Sequence, residues 1–208
     1  LRDDVTFHDG TPFNAEAVKY NFDWQVAGNP VCNTPVVMGP YESSEVIDEY
    51  TIQVNFSEPN GAFLAELAQV WVAMQSPTAK EKWGDEYQFH LAGTGPFMLK
   101  EYVPNDHVTV VRNPDYAWAP PIFHQGVAYL DEIEFRINTA DGTRVGALDS
   151  GDLTMIDGVP AVDFARFEAD PNFQTYTWVG NGLGWSLQPN MELFPTDDIA
   201  VRQAIHFG

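Results

Sequence analysis

Apolar positions along the first eighty residues change period twice, and each change marks an element. Asn14 stands where an N-cap belongs, and Val18, Phe22 and Val26 follow at four-residue spacing, the pattern of a helix with one apolar face. Residues 28–40, rich in Gly, Pro and Asn, read as a long loop. From 50 to 57 the period drops to two. Tyr50, Ile52, Val54 and Phe56 share one face and Thr51, Gln53, Asn55 and Ser57 the other, which predicts a half-buried antiparallel strand. The polar run 57–60 opens a short helix through Phe63, Leu64 and Leu67. Ser76 and Pro77 start another, with proline at a first-turn position where its missing N–H costs nothing.

A different device follows. Gly93 and Gly95 ahead of Pro96 permit a tight entry, with positive φ open to both, into a strand over 97–102; Pro104, Asn105 and Asp106 turn the chain into a second strand over 107–112. After an aromatic, proline-rich connection over 116–125, Ile133, Phe135 and Ile137 alternate as a buried strand. Residues 143–148 look helical and 153–156 form a further short strand. Pro160 opens a helix carrying Val162, Ala165 and Phe167, and 173–178 and 185–187 complete the strands. Strands interleaved with helices make an α/β chain with a mixed sheet, and the glycine hinge divides it into 1–92 and 93–208.

The stretch 93–116, closing on Asn113, Pro114, Asp115 and Tyr116, resembles the family 5 extracellular solute-binding proteins of ABC importers, the peptide- and nickel-binding group. Blocks at 1–18, 48–67, 129–157 and 197–205 are similar to that family in the same order. Phe194, Pro195 and Thr196 depart from the Pro-Phe it carries before the last block. The resemblance implies one lobe of a type II periplasmic-binding-protein-like fold, with 1–92 its smaller subdomain and 93–208 its main part. Members of the family are much longer. The expectation is therefore an incomplete lobe, lacking an N-terminal strand and the whole second lobe.

Composition narrows the class. With 208 residues and 44% hydrophobic content the chain can bury a core, and the single Cys32 excludes an internal disulfide framework and a cysteine-based zinc site. No apolar run reaches transmembrane length. Asp and Glu number 30 against 10 Lys and Arg, a formal net charge of −20, which repels phosphate backbones and disfavours nucleic acid as a partner. Solubility and adaptation to a salty medium both account for such a surface.

Catalytic and metal chemistry find little support. His8 and Asp9 are neighbours ahead of Gly10 and read as a solvated turn pair, not a dyad. His90, His107, His124 and His206 lack zinc-motif spacing and read as surface residues. Asp197 and Asp198 sit at a helix start, where carboxylates satisfy free N–H groups. Asp149 and Asp152 lack the count and spacing of a calcium loop. No cofactor and no metal are implied.

Aromatic residues carry the site reading. Trp71, with Val72 beside it, lies in a short apolar segment, and Trp185 follows Gly184 in a glycine-flanked one. The resemblance places the first segment at the border of a ligand cleft and the second on a central strand facing it; core burial and ligand contact both remain open for the two tryptophans. Nickel-binding members place an arginine where this chain has Trp71. The family further implies a substrate-binding component of an ABC importer, periplasmic or extracellular, free or lipid-anchored. It would capture an oligopeptide or similar small polar solute and deliver it to a membrane permease, with no enzymatic activity. The alternative is an extracellular hydrolase of peptides or glycans, which needs an activated nucleophile or a carboxyl pair flanking a cleft.

Overall fold

In the computed structural model, which describes residues 1–27, 34–177 and 187–207, helix α1 (Ala15–Val26) begins where the pattern places it. The Asn14 side chain accepts the Ala17 N–H at 3.0 Å, satisfying one of the donors a helix leaves free at its start. Val18 and Phe22 face inward and form a core with Met38 and Val72. Strands β1 (Tyr41–Asp48) and β2 (Thr51–Phe56) pair antiparallel, with Ser44 opposite Val54 and Val46 opposite Ile52. That register lays Ile52 and Val54 over the core, and Phe22 meets Tyr41 and Phe63 edge to face at 5.9 and 6.1 Å.

Short elements close this layer. Helix α2 (Thr34–Met38) falls inside the run read as loop; one turn among Gly, Pro and Asn gives no periodicity, yet it delivers Met38 to the core. Helix α3 (Phe63–Glu66) leads to a 3₁₀ turn, Val70–Val72, and Ser76 caps α4 (Pro77–Trp83) by accepting the Ala79 N–H at 3.1 Å.

Strands β3 (Phe97–Val103), β4 (His107–Arg112) and β5 (Glu132–Arg136) form an antiparallel sheet in that order. The β3–β4 turn uses Asn105 at φ 64, a conformation asparagine tolerates. The strand over Ile133 and Phe135 is present, at the edge of the sheet, but it is not buried: Phe135 is 51% and Ile137 50% exposed, so this face is left largely uncovered. Neither Gly93 nor Gly95 takes a positive φ, so the bend over 94–96 that enters β3 is made without left-handed glycines.

The chain divides into two compact units, Leu1–Ala140 and Asp141–Gly208, and Gly93 lies within the first. The second holds α5 (Asp141–Ser150), α6 (Ala161–Ala169) and α7 (Ile199–Phe207). Phe167 is buried and meets Phe173 edge to face at 4.7 Å, and Arg166 forks onto Asp149 at 2.9 and 3.1 Å. Residues 153–156 are not a strand, since Gly151 and Leu153 spend their N–H groups on Leu148 and Ala147 at the end of α5. Residues 173–177 are not one either; Phe173 donates to Asp170 in a turn after α6. Asp198 accepts the Ala200 N–H at 2.8 Å at the start of α7, the capping role its position implied. Helix and sheet are mixed along the chain, the sheets among the described residues are antiparallel, and none of its described helices is long and apolar enough to cross a membrane.

Candidate functional site

The apolar segment after α3 sends its three side chains to different surroundings. A 3₁₀ turn advances about a third of a revolution per residue, so Val70, Trp71 and Val72 point three ways. Val72, 1% exposed, enters the core against Val18, Phe22 and Met38. Trp71 is 63% exposed, and Val70 and Leu64 are exposed as well. Of the two neighbouring candidates, Val72 is therefore a core residue and Trp71 a surface one. Gly184 and Trp185 lie outside the described residues, as does Trp178.

Beyond the turn the backbone is held tightly. Asn21, on the buried face of α1, receives the Gln75 N–H on Oδ1 at 3.0 Å and donates from Nδ2 to the Gln75 and Ala17 carbonyls at 2.8 Å each. The Gln75 side chain accepts from Lys80 Nζ at 3.2 Å, and Lys80 lies over the Trp24 ring. Ser76 donates its N–H to Ala92 and its hydroxyl to Asp9. Burial opposes charge on Asp9, but hydrogen bonds from Ser76 and Thr11 outweigh it and hold this carboxyl below the usual range.

His8 is half-buried and its ring pairs with the backbone at Gly93 and Gly95, not with Asp9. Its Nδ1 accepts the Gly93 N–H at 3.2 Å, which leaves the proton on Nε2 to donate to the Gly95 carbonyl at 2.9 Å. Asn113 Nδ2 also donates to Gly95, at 3.2 Å, and Trp118 Nε1 to Thr94, at 2.8 Å. The imidazole is a clamp on the segment 93–95, with both ring nitrogens engaged by backbone groups. His107 is bracketed as well: Asp106 at 2.6 Å and then Glu101 at 3.3 Å raise its pKa.

An open groove of about 460 Å³ runs along the start of α1 and α4, lined among others by Asn14, Lys19, Tyr20, Asp23 and Thr78; it includes neither Trp71 nor Val72. Among the described residues no group of three or more His, Cys, Asp or Glu side chains is placed to hold a metal ion. The residue missed in the sequence is Asn21. A polar side chain three positions after Val18 and next to Phe22 is costly on a core face unless its groups are paired, and that is the signal it offered.

Known proteins share this chain's sequence pattern and fold. The chain is 32% identical over 211 aligned residues to the glutathione-binding protein GsiB of Escherichia coli, a match that covers 100% of this chain and 39% of that protein. It superposes on the nickel ABC transporter from Bacillus halodurans with a TM-score of 0.69 at 27% identity, over 82% of this chain and 33% of that one. The periplasmic binding protein DppA from Helicobacter pylori, in complex with the peptide STSA, gives 0.69 at 25% identity over 83% and 36%. The chain thus spans 39% of the length of the curated relatives it matches. Matched from residue 1 to residue 208 by the model for bacterial extracellular solute-binding proteins, family 5, middle region, the chain belongs to that family.

Proposed function

We propose that the full-length protein is the extracytoplasmic substrate-binding component of an ABC importer, capturing an oligopeptide or similar small polar solute and delivering it to a membrane permease. The family match along the whole chain carries this reading, and relatives named for glutathione, peptide and nickel support it. Periplasmic or extracellular residence follows from it. Ligand would bridge this portion and the remainder of the protein, favouring the closed state by its differential affinity for it. No bond is made or broken.

Trp71 narrows the ligand. An arginine at this place would neutralise and fork-bond a carboxylate, whereas tryptophan offers an apolar face and one N–H donor. We assign Trp71 to the ligand surface and take a peptide or other organic solute as the preferred cargo over an anionic nickel chelate. Calorimetry on the full-length protein, with glutathione, a tetrapeptide and an anionic nickel complex of a carboxylate chelator as titrants, tests this. Binding of a peptide that mass spectrometry recovers intact is the expected result. Cleavage of the peptide, or binding of the nickel complex alone, would sink the reading.

A further inference from the structure

The exposed Trp71 and the buried Asn21 are fifty residues of chain apart and belong to one device. Asn21 is 2% exposed, and its side chain makes three hydrogen bonds to main-chain atoms, two of them on Gln75. A side-chain amide that pairs with both polar groups of one peptide residue mimics a strand partner, and it fixes that residue in rotation as well as in position. Gln75 follows Trp71 by four residues, and Val72 between them is packed against Val18 and Phe22 on the same face of α1. The turn bearing Trp71 is thus tied to α1 twice, by apolar contact at Val72 and by the amide clamp at Gln75. Between the ties Ala73 is extended, at φ −57 and ψ 134, with no helix of its own to hold it.

We infer that Asn21 is the positioning residue for Trp71: through Gln75 it sets the direction in which the indole is presented to ligand. Without the clamp the Gln75 N–H and carbonyl face a buried site unpaired, and the relief available is displacement of 73–75 toward water, which turns Trp71 with it. A rigid aromatic held ready needs no ordering when ligand arrives, so loss of the clamp weakens binding without removing a contact. The ligand half of this rests on Trp71 facing the ligand; the positional half does not.

The test uses full-length protein carrying 5-fluorotryptophan, with the Trp71 resonance assigned by Trp71→Phe and Trp118 as an internal reference. In Asn21→Ala without ligand, the Trp71 fluorine signal is expected to shift or broaden while Trp118 is unchanged. Asn21→Asp keeps the shape and the acceptor for the Gln75 N–H but sets an oxygen against the Gln75 and Ala17 carbonyls where the amide now donates, so it should move the Trp71 signal at least as far. Affinity for the peptide identified by calorimetry should fall roughly tenfold in Asn21→Ala, the scale of one buried peptide group left unpaired. An unmoved Trp71 signal in both variants overturns the inference, and so does collapse of all tryptophan signals together in both, since Asn21 is then a general core residue. If Trp71 moves but neither Asn21→Ala nor Trp71→Ala alters affinity, the positional role stands and the ligand assignment of Trp71 falls.

Discussion

Val72 and Trp71 are adjacent in sequence and should behave oppositely when truncated. Val72→Ala deletes two methyl groups from a side chain that is 1% exposed and enclosed by Val18, Phe22 and Met38. At about 0.8 kcal/mol per buried carbon, with a cavity contribution added because α1 and the β1–β2 hairpin cannot fully collapse, the loss is about 2–3 kcal/mol. Trp71→Ala removes a larger side chain that is 63% exposed, so its cost in stability should stay within about 0.5 kcal/mol. Under the proposed ligand role its effect falls on binding, where an aromatic anchor buried by ligand is worth about 1–3 kcal/mol, or roughly 5–150-fold in Kd. Urea unfolding followed by circular dichroism, which does not depend on the deleted fluorophore, and calorimetry with peptide separate the two in the full-length protein. If Trp71→Ala destabilises as much as Val72→Ala and leaves binding unchanged, the assignment of inward and outward faces on this turn is wrong. Tight nickel binding with a carboxylate chelator, unaffected by Trp71→Ala, would refute the ligand half.

Three further outcomes follow from the clamps and the charge. His8→Ala leaves the Gly93 N–H unpaired while Gly95 keeps Asn113, so it should cost about 1–3 kcal/mol by chemical denaturation, with His8→Asn recovering part; no loss would reduce His8 to a bystander. The His107 pKa is raised by Asp106 and Glu101, so its contribution is full below the unfolded value, about 6.5, and is lost as pH rises through the folded one; a pH series of melting temperatures that His107→Gln leaves unaltered would contradict this. With a formal charge of −20, melting temperature should climb as sodium chloride goes from low to moderate concentration and respond less to neutral osmolyte, and a flat or falling series would remove the argument from self-repulsion.

What could be read in advance was what local chemistry decides. Helix α1, the β3–β4 hairpin and α4 were legible because a cap, a period or a turn residue specifies each within a few positions. Strand β1 reads Tyr-Glu-Ser-Ser-Glu-Val-Ile-Asp and has no usable alternation; its pairing with β2 makes it a strand. Exposure of Phe135 was invisible because alternation reports a face and not whether anything covers it. Within the site, Trp71 and Val72 were legible only as a pair, since the choice between them rests on the phase of a three-residue 3₁₀ turn. His8 was misread for a related reason: its partners, Gly93 and Gly95, lie more than eighty residues away.

The segment 93–96 is gripped entirely by its main chain. His8 uses the Gly93 N–H and the Gly95 carbonyl, Trp118 the Thr94 carbonyl, and Asn113 the Gly95 and Pro96 carbonyls through its side chain and backbone. A Cβ placed on Gly93 would meet the Met74 carbonyl at 3.7 Å, and one on Gly95 the Phe97 carbonyl at 3.9 Å, both ordinary contacts. The wording Gly-Thr-Gly-Pro is therefore less constrained than its length. Single replacements should be absorbed here, whereas one inserted residue would put every carbonyl out of step with its donor and uncouple the β3–β4 hairpin from the chain around His8. In this stretch spacing is the tighter physical requirement and side-chain identity the looser one.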